Sequence, residues 1–316
     1  MLPLSTFFPP APEPGRAGDP GTFGPGSAAW RLARERVVLV GGPAALLLQV
    51  AHPLVAAGVA AHSDFAADPL RRLQGTLDAV MTVTFGDTAQ VRGAARHVAH
   101  RHRPVRGTLP VATGGHPAGT PYSAADPDLA LWVFATLVWT SVQVVDGFVR
   151  PVRPPEREAY YRDMTQVAPL FGIPARVLPA DYADLARYVD AQVDGVLAVG
   201  DAAARLADQI LAPDPPILPA PARGLPALLA AGVLPPALRA AYGLDQRRRD
   251  RFAFGAAQQV SRRVLPLLPS RARYWPHYVI ATQRVTAEQV GPERAGAERA
   301  GAERVGAERV GTEPSA

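Results

Sequence analysis

The chain has 316 residues, 48% of them hydrophobic, enough for one large or two modest domains with a substantial interior. It contains no cysteine and no lysine, which excludes thiolate-ligated haem, iron–sulfur clusters, Cys-ligated zinc, disulfides, a cysteine nucleophile, Schiff-base chemistry and a P-loop lysine. The net charge is +5 and the pI near 9.9, but the densest basic runs, "RLARER" at 31–36 and "RRRDR" at 247–251, are interleaved with acids, carry few neighbouring aromatics and read as solvated helix faces, not a nucleic-acid surface.

In chain order, residues 1–29 are rich in proline and glycine and read as a disordered leader. They lack the basic start and long apolar core of a signal peptide, so a cytoplasmic location is expected. Apolar periodicity then predicts helices over 31–40, 43–61, 68–82, 87–102, 127–148, 155–170, 181–210, 224–231, 235–242 and 247–263. Strand signals are nearly absent. The proline-rich connectors at 151–155 and 213–222 are not flanked by a second core pattern, so one all-α domain over 30–285 is expected. Residues 286–316 carry Gly-x-Glu-Arg pentads with too little apolar surface to pack, and read as a low-complexity tail without chemistry.

The stretch from Val37 to Ala61 has no charged side chain. A dinucleotide fold does not suit it, because Gly41-Gly42-Pro43 lacks the G-x-G-x-x-G spacing. It is long enough to cross a bilayer, but Pro43, Gln49, His52 and Pro53 make a poor span. The remaining reading is a buried helix interrupted at Pro53, whose polar members need buried partners.

Six of the seven histidines fall between His52 and His116. No H-E-x-x-H or Glu-x-x-His pair occurs, and a zinc site on His97 and His100 lacks an evident third ligand, which leaves a His-ligated zinc hydrolase as a minor alternative. A porphyrin asks less: an imidazole near a helix end, an apolar pocket and arginines. Pro104 places His102 in or near the last turn of helix 87–102, with Arg101, Arg103 and Arg106 around it. On the preceding helix Arg72 and Thr76 share one face, with Gly75 leaving room beside them.

These segments resemble a known family. "GGPAALLLQVAHPLVAAGVAAHSDF", "DPLRRLQGT", "HRPVRG", "YSAADPDLALWVFATLV", "LFGIPARVLP", "VLPPALRAAYGL" and "RRVLPLLPSRARYWP" follow in the order of the MpaB-type oxygenase and rubber oxygenase (latex clearing protein) catalytic domains. The resemblance implies an all-helical, globin-like core carrying haem b. In the rubber oxygenases an Arg-x-x-Lys-Thr run lies over the oxygen-binding face and a later histidine ligates iron from the other side. Here Arg72 and Thr76 match that run, Gly75 stands in place of its lysine, and His102 of "HRPVRG" matches the ligand. Where relatives read Trp-Val-His, this chain has Trp132-Val133-Phe134.

The expectation is therefore a haem b oxidoreductase that uses O2 on an apolar substrate, such as an alkene or isoprenoid, with an external electron donor and peripheral membrane contact both open. Arg72 and Thr76 would be catalytic and His102 the iron ligand. Gln49, His52, His62 and Arg106 would contact or support the cofactor, and helix 127–148 would face the uncharged segment across the pocket. A non-catalytic haem-binding protein is the alternative.

Overall fold

The computed structural model describes residues 9–62, 69–212 and 218–287, with the side chains of 69–73 and 221 outside the described set. In chain order the helices are α1 (Ala28–Ala33), α2 (Gly42–Ala51), α3 (Pro53–His62), α4 (Pro69–Phe85) and α5 (Thr88–His102). A hairpin of β1 (Arg106–Thr108) and β2 (Pro121–Ser123) follows, pairing Gly107 with Tyr122. Then come α6 (Pro127–Val144), α7 (Pro154–Thr165), α8 (Tyr182–Gly195), α9 (Asp201–Leu211), α10 (Leu225–Val233), α11 (Pro236–Ala241), α12 (Arg248–Val264), α13 (Ser270–Arg273) and α14 (276–287). The fold is all-α, as the periodicity predicts.

Helix α6 is the axis. Asp126 starts it by accepting the Asp128 N–H at 2.9 Å, and Pro127 needs no partner in the first turn. Leu131, Trp132, Ala135, Val138 and Val142 recur at helical spacing and are all buried. The helix runs on into a π turn, Val145–Val149, and this whole segment is long and apolar enough to cross a membrane. Yet 61% of its most apolar stretch is buried inside the protein, which is the signature of a core helix.

Helix α2 lies directly on α6, with Trp132 Nε1 donating to the Leu48 carbonyl at 3.2 Å. It stops at His52, which takes an extended conformation because the following proline disfavours helix there. The chain turns by 105° between the segment 36–51 and α3. The uncharged stretch is thus a 3-10 turn and two buried helices, broken at Pro53 as expected, and Val37–Gly41 forms no strand.

Three expectations are corrected. The helix predicted over 31–40 is interrupted at Glu35, whose backbone is extended and pairs with Tyr274, while its buried carboxylate accepts from Arg273 Nε at 2.8 Å and Nη2 at 2.7 Å. The helix predicted over 181–210 is two helices, because residues 196–200 leave helical geometry and Ala198 N donates to the Ala51 carbonyl at 2.9 Å, satisfying an end carbonyl of α2. The leader is not disordered from residue 9 onward. Asp87 accepts the Arg16 N–H at 2.7 Å, Gln90 donates to the Glu13 carbonyl, and the buried Arg284 donates to the carbonyls of Asp19 and Phe85, both at 2.7 Å. Polar groups at α5 and on α14 thus satisfy the backbone of this strap, while Phe23 anchors it in the main core. Helix α14 itself was not in the periodic pattern, and the pentad tail from residue 288 lies outside the described residues.

Candidate functional site

His52 sits at the elbow between α2 and α3. The N–H of Leu54 donates to its Nδ1 at 3.3 Å, which leaves the ring proton on Nε2. The loop between β1 and β2 folds over it and brings His116 against it, ring centroids 5.7 Å apart. The loop can approach this closely because Gly114 has φ +57° and an added Cβ would lie 2.9 Å from the Ala198 side chain. Burial first, and the neighbouring His116 second, push the His52 imidazole down to about 4, with Asp126 opposing, so it is neutral at ordinary pH.

A second cluster forms where α3 and α5 end and β1 begins. His62 Nε2 donates to the Arg106 carbonyl at 3.1 Å, and its ring meets Tyr122 edge-on at 6.3 Å. His102 closes α5 at the same place, its carbonyl accepting from Val105 N at 3.0 Å. Tyr122 belongs to a small apolar cluster with Leu54, Ala57, Leu109 and Leu129. The rings of His62, His102 and Arg106's side chain are exposed.

Helices α4 and α5 form an antiparallel pair around Gly86 and Asp87, so the first turns of α4 return to the level of the end of α5. Arg72 lies on that part of α4, but its side chain is outside the described residues. Thr76 is described and exposed. His97 and His100 are exposed along α5. No group of three or more His, Asp or Glu side chains suited to a metal occurs among the described residues.

Of the seven residues singled out in the sequence, His62 reaches the Arg106 backbone directly, and His102 ends α5 just before β1 begins. His52 does not join them, because α3 sets it ~15 Å from His62 along the helix axis. Gln49 donates to Thr136 Oγ1 at 3.1 Å, and here α2 and α6 are in direct contact. The expected wall of helix 127–148 is thus packing partner rather than facing surface.

Sequence reasoning passed over His277. It is 1% exposed, and neither ring nitrogen has a hydrogen-bond partner among the described residues; Asp78 Oδ1 lies 3.6 Å from Nε2. Burial holds its imidazole below the usual histidine range, with Asp78 opposing. It lines a crevice of about 10 Å³ against Pro12 and Glu13 of the leader, beside Thr82, Gln90 and Arg284. A lone histidine on α14 carries no spacing signal.

Residues 30–263 match the family described as "ER-bound oxygenase mpaB/B'/Rubber oxygenase, catalytic domain". Two curated relatives, the uncharacterized protein Rv2237 of Mycobacterium tuberculosis and the uncharacterized protein Mb2261 of Mycobacterium bovis, are each 31% identical over 126 residues. Those matches span 40% of this chain and 46% of each relative. No solved structure matches the chain.

Proposed function

The chain belongs to the mpaB/rubber oxygenase catalytic-domain family and is an oxygenase-type domain; on that premise we propose that it is a haem b-dependent oxygenase acting with O2 on an apolar, alkene or isoprenoid, substrate. The observation that supports the reading is the junction of α3 with β1 just beyond the end of α5, where His62 bonds the Arg106 carbonyl and its ring meets Tyr122 of a small apolar cluster. The donor set fits the group: imidazole for the iron and guanidinium groups for the propionates, with no thiolate in the chain to compete.

In this reading His102 would hold the iron from the end of α5 and Arg106 would bind a propionate. Bound haem supplies the activation of O2. Arg72, which donates but does not lose its proton, would offer a hydrogen bond to an anionic oxygen there, and Thr76 would add a second donor from the next turn. His62, its Nε2–H committed to the Arg106 carbonyl, keeps Nδ1 as an acceptor beside the site and fixes where the β1 backbone lies. Tyr122, Leu109 and Leu129 keep water from entering beneath.

The visible spectrum of purified and haem-reconstituted protein tests this. His102→Ala should lose most of the haem and His97→Ala should keep it; both side chains are exposed on one helix, so folding does not confound the comparison. Arg72→Leu should keep the haem while O2 uptake with an alkene panel falls ~10- to 100-fold, the worth of one charged hydrogen bond. Full haem content in the His102 variant overturns the assignment. Gly75 favours a second reading, a haem protein without turnover: a Cβ there would meet nothing within 4 Å, so packing does not demand the glycine that replaces the family's lysine. A haem spectrum without O2 uptake on any substrate would select it.

A further inference from the structure

Helix α12 is apolar on two faces. The inner face is occupied: Phe254 meets Phe148 edge-on at 5.6 Å, Ser261 Oγ donates to the Phe148 carbonyl at 2.7 Å, and Leu265 is buried just beyond the helix end. The outer face repeats every fourth residue as Phe252, Ala256, Val260 and Val264, and the turn that follows adds Leu267. Phe252 is 79% exposed, Val260 58%, Val264 44% and Leu267 82%. Isolated exposed apolar residues need no explanation, but a helix that only had to dock on the π turn would be polar outside. Alignment of the four largest into one stripe marks a surface with a partner.

The charge around the stripe identifies that partner's chemistry. From Arg247 to Arg273 the chain has eight arginines and one carboxylate, Asp250. Arg262 and Arg273 are committed inside, to the Asp146 carbonyl and to Glu35. Arg248 and Arg249 extend the stripe at its N-terminal end, Arg263 borders it, and Arg271 lies past Leu267; all four are exposed. A large aromatic and aliphatic stripe bordered by arginine, with scarcely a carboxylate to repel phosphate, is the pattern of a helix lying in the headgroup layer.

We propose that the outer face of α12, continued through Leu267, is the surface by which this protein sits on an anionic lipid bilayer. The inference stands apart from the haem reading, and neither one's failure touches the other. Phe252 and Leu267 enter the acyl boundary while Arg248, Arg249, Arg263 and Arg271 meet lipid phosphates, each arginine contributing about fivefold to partitioning.

Flotation of the full chain with phosphatidylcholine vesicles, with and without phosphatidylglycerol, tests it. Binding should require the anionic lipid and weaken as salt rises. Phe252→Ser with Leu267→Ser should weaken binding at least ~10-fold, and Arg248→Gln with Arg263→Gln by ~10-fold or more, each with an unchanged circular dichroism spectrum because all four side chains are exposed. Equal binding to neutral vesicles, variants that bind like wild type, or a self-association abolished by Phe252→Ser without any vesicle binding would overturn the proposal, the last by assigning the face to a second copy.

Discussion

The neutral state of His52 makes stability depend on pH in a way that can be worked out in advance. Its folded value is about 4 and its ordinary value 6.5, so between these the unfolded chain binds a proton that the elbow refuses. Stability therefore rises with pH through that window and is fully present above it. Taking the protein from pH 7 to pH 5 should cost ~2 kcal/mol from this group, and the whole gap, reached below its folded value, ~3 kcal/mol. His52→Asn isolates the effect, because asparagine still offers Leu54 N–H an acceptor but does not titrate. Urea unfolding of both proteins at the two pH values is the assay. Wild type should lose ~2 kcal/mol more than the variant on acidification. His277, also held below its usual range, acts in both proteins and cancels from the difference. Parallel losses in wild type and variant would show that the elbow admits a proton, and would remove the argument for a neutral imidazole there.

The buried pair of Glu35 and Arg273 gives a larger effect. Glu35→Gln leaves the guanidinium without its bidentate partner and should destabilise the fold by ~3–5 kcal/mol, whereas replacing both by leucine should recover much of that; a single variant within ~1 kcal/mol of wild type in denaturant melts would refute it. Asp87→Ala removes both the cap on Gln90 N at 2.7 Å and the hold on Arg16 N, for a loss of ~1–2 kcal/mol. Limited proteolysis should then cut between residues 9 and 24, and an unaltered fragment pattern would show that the strap does not depend on this carboxylate.

Helix periodicity was legible wherever packing alone decides the backbone: α4, α5 and α12 begin and end within about three residues of the positions read from the pattern, and α6 does so once its π turn is included, a usual scatter for helix ends. The breaks at Glu35 and at residues 196–200 were not, since each exists to reach a partner far away in the chain, Arg273 in one case and the Ala51 carbonyl in the other. The strap over residues 9–27 was misread for the same reason. Proline and glycine report that a segment has no core of its own, but not that Asp87, Gln90 and Arg284 satisfy its backbone. Within the candidate site, helix ends and the clustering of histidines singled out His62, His102 and Arg106, near the junction of α3, α5 and β1. Sequence proximity on an uncharged stretch did not reveal that a 105° turn would aim Gln49 at Thr136 and His52 at His116.

The ion pair between Glu35 and Arg273 also sets an order on assembly. While the ribosome is still extending the chain, α1 through α12 are available before Arg273 and Arg284 exist to meet Glu35 and the carbonyls of the strap. The N-terminal turn must therefore wait with a carboxylate that has only its neighbour Arg34, at 3.7 Å, and not yet its bidentate partner, and contacts of such long sequence separation are slow to form. A fragment trimmed to the matched boundaries, 30–263, would keep every helix of the candidate site and lose both arginines, so the stretch that carries the family signature is shorter than the stretch that folds.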